Sequence, residues 1–309
     1  MPESVRPPAV AGQFYEGDGA ALARQVERCF LDPRGPGELP ARHRSASRRI
    51  RAAVVPHAGY PYSGPIAARA FREIAGERAA PVVLILGVDH HGLGRPYALS
   101  DRPWQTPLGR LDVDHDLVKA LSCDPIEVDE RAHRLEHSIE VELPFLQYVE
   151  PYLRFVPLMV RFAPFEDLQE VARVVRRAIQ GRDVLLIAST DFSHYVPAET
   201  ARKLDHEAIE PILRRDARAL YDTVVREEIS MCGIAPTTVL LEVLQDEPLE
   251  ARLLAWGHSG EAEPMPKVVG YASILFETQT AAGPSAGGPA TKRVASEGGD
   301  SFEPPFGSP

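Results

Sequence analysis

Three apolar runs in this chain end by delivering side chains that can bind a metal or move a proton. "RAAVVPHAGY" ends at His57, "PVVLILGVDHHGLG" empties onto Asp89, His90 and His91, and "RDVLLIASTDFSH" closes on Asp191 and His194. Neutral imidazole is the commonest metal ligand, and two or three such groups with one anion make a strong divalent site. Imidazole also exchanges protons near neutral pH, so the same set suits acid–base chemistry. A further candidate lies in "MCGIAP", where Cys232 precedes a glycine and stands just before the apolar helix "PTTVLLEVL". A thiol near a helix N-terminus ionises more readily, which suits metal binding or nucleophilic attack. Singly, each feature has a plainer reading. A strand-end histidine is usually a loop residue, and a lone cysteine is usually a small buried hydrophobe, as expected for Cys29. Three strand ends in one chain are harder to dismiss.

The elements before these residues must position them. Ala52–Val55, Val82–Leu86 and Val184–Ala188 are short, rich in Val, Ile and Leu, and bounded by turn signals. That is the pattern of central parallel strands covered on both faces. "RFVPLMV" (154–160) and "KVVGYASILF" (267–276) are further strand candidates. Residues 64–76 place Ile66, Ala70 and Ile74 on one helical face, and residues 165–179 place Leu168, Val171, Val175 and Ala178 together. Strands alternating with such helices predict an α/β fold, one domain with a central, mainly parallel sheet covered by helices on both faces. Ligands of open α/β sheets bind at the carboxyl ends of the strands. If the strands are parallel neighbours, His57, His90 and the Asp191/His194 pair meet in one crevice.

Composition narrows the function classes. The chain has 309 residues, with 34 basic against 44 acidic side chains and a formal charge of −10, which argues against a nucleic-acid partner held by bulk charge. No apolar run is long enough for a membrane span, and residues 1–15 lack a signal-peptide layout. Cys29, Cys123 and Cys232 show no CxxC spacing, so a reducing cytoplasm fits best. Residues 33–49 read as a solvated, Arg-rich connection. Residues 278–309 are poor in apolar side chains and are expected to form a disordered tail beyond a domain of residues 1–277. The chain lacks GxGxxG after its first strand, GxxxxGK[ST], and the GxSxG elbow, which disfavours dehydrogenase, nucleotide-hydrolase and α/β-hydrolase readings.

Seven motifs follow one another in order: "VAGQFYEGD", "PHAGYPYSG", "ILGVDHHG", "WQTPLGRLDVD", "EHSIEVELPFLQ", "STDFSHY" and "MCGIAPT". Through them the chain resembles the Memo family, known in prokaryotes as AmmeMemoRadiSam system protein B, over about residues 5 to 276. The resemblance implies the LigB-like fold of class III extradiol dioxygenases. It implies a metal held by His57, His90 and Cys232, with Fe(II) the first choice and Cu or Zn the alternatives. His194 matches the acid/base histidine of that fold. Asp191 would ligate the metal or orient His194, and Tyr62 would offer a phenolic donor. The implied function is a dioxygenase-like, non-haem metal oxidoreductase acting on an unknown small molecule, of which aromatics are the leading class. The alternatives are a non-catalytic metal-binding or protein-interaction protein that retains the pocket, and a metal-assisted hydrolase. Implied partners are AMMECR-type and radical-SAM proteins. Two departures stand out. Asp89 occupies a position where the family commonly has Ser or Asn, and is expected to be an extra ligand or to orient an imidazole. Ile234 stands where many relatives have Arg. His91 is expected to diverge from His90, and His137 either borders the site or belongs to a local helix-start network.

Overall fold

The computed structural model describes residues 5–41 and 45–278. Helix α1 (Gly19–Leu31) precedes β1 (Ile50–Val55), and α2 (Tyr60–Ala75) leads to β2 (Val82–Val88). Short pieces follow: β3 (Tyr97–Leu99), β4 (Trp104–Thr106), β5 (Gly109–Val113), α3 (His115–Leu121), β6 (Glu127–Val128) and α4 (Glu130–His133). A 3-10 turn at Glu140–Glu142 runs into α5 (Leu143–Val149). Regular alternation resumes with β7 (Arg154–Val160), α6 (Phe165–Ile179) and β8 (Val184–Ser189). Then come β9 (His194–Val196), α7 (Ala198–Arg214), α8 (Ala217–Arg226), α9 (Ile234–Leu244), β10 (Leu249–His258) and β11 (Val268–Thr278).

The strands form one sheet whose main path runs β10-β11-β1-β8-β2-β7-β3-β6. Its centre, β1-β8-β2-β7, is wholly parallel, and β11 and β3 flank it as antiparallel neighbours. Every residue of β8 and nearly every residue of β2 is buried. That accounts for their lack of alternation, since helices cover both faces. Helices α1, α2 and α5 pack together, with Phe71 stacked on Phe145 at 5.0 Å. Helices α6, α8 and α9 form another packed group, and α9 lies on β8, β2 and β7.

The expected fold is the one found. All five strand candidates are present, with β7 and α6 at the expected residues. Helix α2 starts four residues earlier than its apolar period suggested, because Pro61 suits the first turn, where no N–H is required. The described part of the 33–49 connection is mostly exposed, as expected, with one anchored arginine. Arg48 is buried at 3% side-chain exposure and pairs with Asp183, tying the loop to the start of β8. The last strand extends through Thr278, and the rest of the 278–309 tail lies outside the described residues. Among the described residues, no helix is long and apolar enough to cross a membrane.

One buried residue gives the fold a pH signature. His133 is enclosed, with Nε2 3.1 Å from Ala98 O, and burial together with the nearby Arg6 charge pushes its pKa down to about 3. The unfolded chain therefore takes up a proton near the ordinary histidine value of 6.5, while the folded chain does not until about pH 3. Stability should then fall as pH drops through that window, by up to about 1.4 kcal/mol per pH unit. Urea titrations between pH 4 and 7 should show a shallower acid slope in His133→Gln than in the parent, and equal slopes would remove His133 as the cause.

Candidate metal centre

Strand register sets the first ligand. Val55 of β1 lies opposite Ser189 of β8, so His57 and Asp191, each two residues further on, emerge side by side. His57 N donates to Asp191 Oδ1 at 2.9 Å, and Thr190 N donates to Val55 O at 2.8 Å, locking the two strand ends together. His57 Nδ1 lies 2.8 Å from Ser189 Oγ, which itself reaches Ser138 O at 2.7 Å and Glu142 Oε1 at 2.9 Å. With acceptors for its own proton, the Ser189 hydroxyl accepts from His57 Nδ1–H and leaves the Nε2 lone pair free. Burial, reinforced by the charges of His137 and His90, holds the His57 pKa well below the usual imidazole range. The ring is neutral, as a ligand must be.

Cys232 arrives from the start of α9. Gly233 N donates to Thr190 Oγ1 at 2.9 Å, and a Cβ at Gly233 would stand 2.2 Å from Thr190 Cβ. Only glycine lets α9 start against the end of β8. Cys232 Sγ is thereby held 3.3 Å from His57 Nε2 and accepts Asp191 N–H at 3.2 Å. Burial and the Asp191 charge push the thiol up, so binding a metal must release its proton.

His90 follows β2 by two residues and is fixed from the far side by a segment of irregular chain. At Gly87 a Cβ would lie 2.4 Å from Ile139 Cγ1, so the missing side chain admits residues 136–139 over the strand end. Ser138 Oγ accepts from Val88 N at 2.9 Å, and Glu136 accepts from His90 N at 2.8 Å and His90 Nδ1 at 2.9 Å. Burial opposes the charge on Glu136, but the hydrogen bond from His90, the charges of His90 and His137, and the Ser138 N–H outweigh it. Its carboxyl sits well below the usual carboxylate range. Such a carboxylate–imidazole pair orients the ring and makes the other nitrogen a better donor.

One donor atom each from His57, His90 and Cys232 lies within 4.8 Å of the others. Ligands sharing an ion at about 2.0–2.3 Å lie about 3–4 Å apart, so the trio fits a metal with only small closure. The two imidazoles, their tethered Nδ1 atoms and the single thiol agree with that fit.

Comparison with known proteins places the chain in a family. The family model described as "Memo-like protein" matches residues 6–275. The chain belongs to the Memo family. A MEMO1 family protein of Methanococcus maripaludis is 38% identical over 285 residues, covering 88% of this chain and 99% of that one. The Methanopyrus kandleri relative is 39% identical over 279 residues, covering 88% and 98%. A solved Escherichia coli K12 structure of an uncharacterised protein aligns with a TM-score of 0.50 at 14% identity, covering 74% of this chain and 99% of that one, a likeness of fold.

The remaining candidates of this Memo protein take different places. His194 Nδ1 lies 2.7 Å from Phe192 O and 2.8 Å from Ser230 O, so it carries the proton and leaves Nε2 free. Asp191 turns its carboxylate to the backbone N–H groups of His57 and Ala58, and burial raises its pKa against the pull of His194 and those bonds. Tyr62 is half-buried in the first turn of α2, five residues beyond His57. Asp89 does not serve His90, contrary to expectation. Arg161 takes it at 2.6 Å and Gly92 N at 2.8 Å, because Val88 and Val160 are register partners and the residues after them meet. Glu136 does the orienting instead. Ile234 is buried at the start of α9 and brings no charge. His91 is exposed.

His137 is more central than its sequence setting implied. Its ring stacks on His90 at 4.6 Å, meets His57 edge-on at 5.4 Å, and is backed by Phe14 at 4.7 Å. Burial pushes it down to about 4 despite Glu136. His90, Glu136 and His137 also form a second donor group within 4.8 Å. The adjacent acid and imidazole of "EHSIE" were the available signal. Replacing Glu136 with Gln should weaken metal affinity about 10- to 100-fold, the range for losing a partner behind a ligand, while far-ultraviolet circular dichroism stays unchanged. Unchanged affinity in a competition titration would dismiss Glu136 as the orienting group.

Proposed function

We propose that this protein is a metal-dependent oxidoreductase of dioxygenase-like type, with Fe(II) its working metal and a small aromatic molecule its substrate. The observation that carries the reading is the pairing of a three-donor cluster, His57, His90 and Cys232, with a separate imidazole, His194, whose Nε2 is unspent. Fe(II) bound there would supply Lewis-acid polarisation of substrate and electron exchange with oxygen. The residues around it do the rest. His194, anchored through Nδ1, is set to take a proton at Nε2 from a substrate hydroxyl. Tyr62 offers a phenol on the first turn of α2 to a bound ligand. Phe14 and His137 form an aromatic wall beside the donors, which favours a flat substrate.

A second reading, a metal-holding protein without turnover, draws on one observation. The anionic donor is a thiol, softer and more easily oxidised than the carboxylate of a two-histidine face. AMMECR-type and radical-SAM proteins are its proposed partners. The deciding experiment is anaerobic Fe(II) loading followed by oxygen-uptake measurements across catechols and related small aromatics. The enzyme reading expects substrate-dependent uptake that His194→Ala reduces about 100-fold or more without loss of bound metal. Silence across the panel with metal bound favours the second reading.

A further inference from the structure

The end of the sheet opposite the metal centre carries a cleft of about 520 Å³ lined by Arg51, Arg173, Arg176, Arg177 and Arg182 against a single carboxylate, Glu247. Arg51 is the second residue of β1, and Arg182 stands two residues before β8. The carboxyl ends of α6 and α9 supply the other walls. Six extended residues separate Arg51 from His57, about 20 Å, so the cleft and the metal centre lie at opposite ends of the same strand.

The positive charge here is only partly matched: among the described residues, three of the five arginines meet a carboxylate and two do not. Arg51 meets Glu247 at 3.4 Å and Arg176 meets Asp246 at 3.4 Å, both partly open to solvent, while Arg173 lies 3.9 Å from Glu170. Among the described residues, the Arg177 side chain meets Cys123 Sγ, at 3.2 Å, and no carboxylate. Arg182 has no ion-pair partner among the described residues. Helix C-termini favour nearby cations, but each offers only about half a charge. Behind the cleft, burial and repulsion from Arg51 and Arg78 bring Arg48 down to about 10. A chain of net charge −10 has gathered like charges where they repel. Guanidinium forks match phosphate oxygens two at a time, and the cleft has the size of a small-molecule site. Ile179 and Val243 add an apolar surface.

We propose that this cleft binds a small anion carrying two or more phosphoryl groups. Its arginines grip the phosphates, and Ile179 and Val243 face any organic body attached to them. This site is independent of the metal-centre reading.

The test is calorimetric titration of metal-free, full-length protein at low salt with ATP, tripolyphosphate and AMP. ATP and tripolyphosphate should bind, AMP about tenfold more weakly or worse, and affinity should fall as salt rises. The Arg177→Ala/Arg182→Ala double variant should lose about tenfold or more in affinity, and Arg182→Glu should lose at least as much. Arg226→Ala, a charge removed from α8, should bind like the parent. Tighter binding of ATP than of tripolyphosphate identifies an organophosphate ligand, and equal binding identifies the phosphate chain alone; either supports the site. Absence of binding, unchanged affinity in both cleft variants, or tighter binding of duplex DNA through the same arginines would overturn it.

Discussion

Replacing Cys232 with serine should abolish tight metal binding and leave the fold intact. The thiol is the only anion-forming donor in the cluster with His57 and His90, and a neutral hydroxyl is a far poorer ligand than a thiolate. The loss should exceed the ~10- to 100-fold expected from removing an orienting group behind a ligand. The fold should survive because Ser is smaller than Cys and Asp191 N–H can still donate to it. Cys123→Ser is the matched control, since Cys123 lies beside Arg177 at the other end of the molecule. Titration of each variant with Fe(II), Cu(I) and Zn(II) under reducing conditions separates the outcomes. Parent-like affinity for all three metals in Cys232→Ser would reassign the anionic ligand. Asp191 would then be the leading candidate, because Asp89 is committed to Arg161.

The largest effect on stability should come from Glu140→Ala. Glu140 is fully buried and accepts from Arg6 Nη1 at 2.6 Å, Ala9 N at 2.7 Å, Val10 N at 3.0 Å and Tyr15 Oη at 2.6 Å. Removing it strands a buried guanidinium and three other donors at once. Breaking one partner from such a buried pair costs about 3–5 kcal/mol, and the thermal midpoint should drop by roughly 10 °C. The same arginine holds the segment behind the metal centre, donating to His133 O at 2.8 Å and Glu136 O at 2.5 Å. Metal affinity should therefore decline in Glu140→Ala along with stability. A variant within about 1 kcal/mol of the parent in urea would show that Glu140 is not the keystone of the amino-terminal segment.

These two residues mark how far the sequence could be read. Cys232 was legible because its setting is local: a glycine, a helix start and a matching motif lie within a few positions. The central strands were legible because doubly covered strands are continuous apolar runs, and their parallel order follows from the helices between them. Glu136 and His137 were harder. They lie on irregular chain with no period to place it, and they reach His90 only because Gly87 leaves a gap. The fate of Asp89 depended on the pairing of β2 with β7, which brings in Arg161 from 72 residues away. A one-residue change of register would have given Asp89 another neighbour. Likewise, the arginines of the cleft come from three separate segments, and only the folded sheet reveals that they share a wall.

X-ray absorption at the iron edge of anaerobically Fe(II)-loaded protein is the most direct test of the ligand set. The account predicts one sulfur neighbour near ~2.3 Å and two imidazole nitrogens near ~2.1 Å, with the sulfur shell absent in Cys232→Ser. A shell of nitrogen and oxygen alone in the parent protein would contradict it.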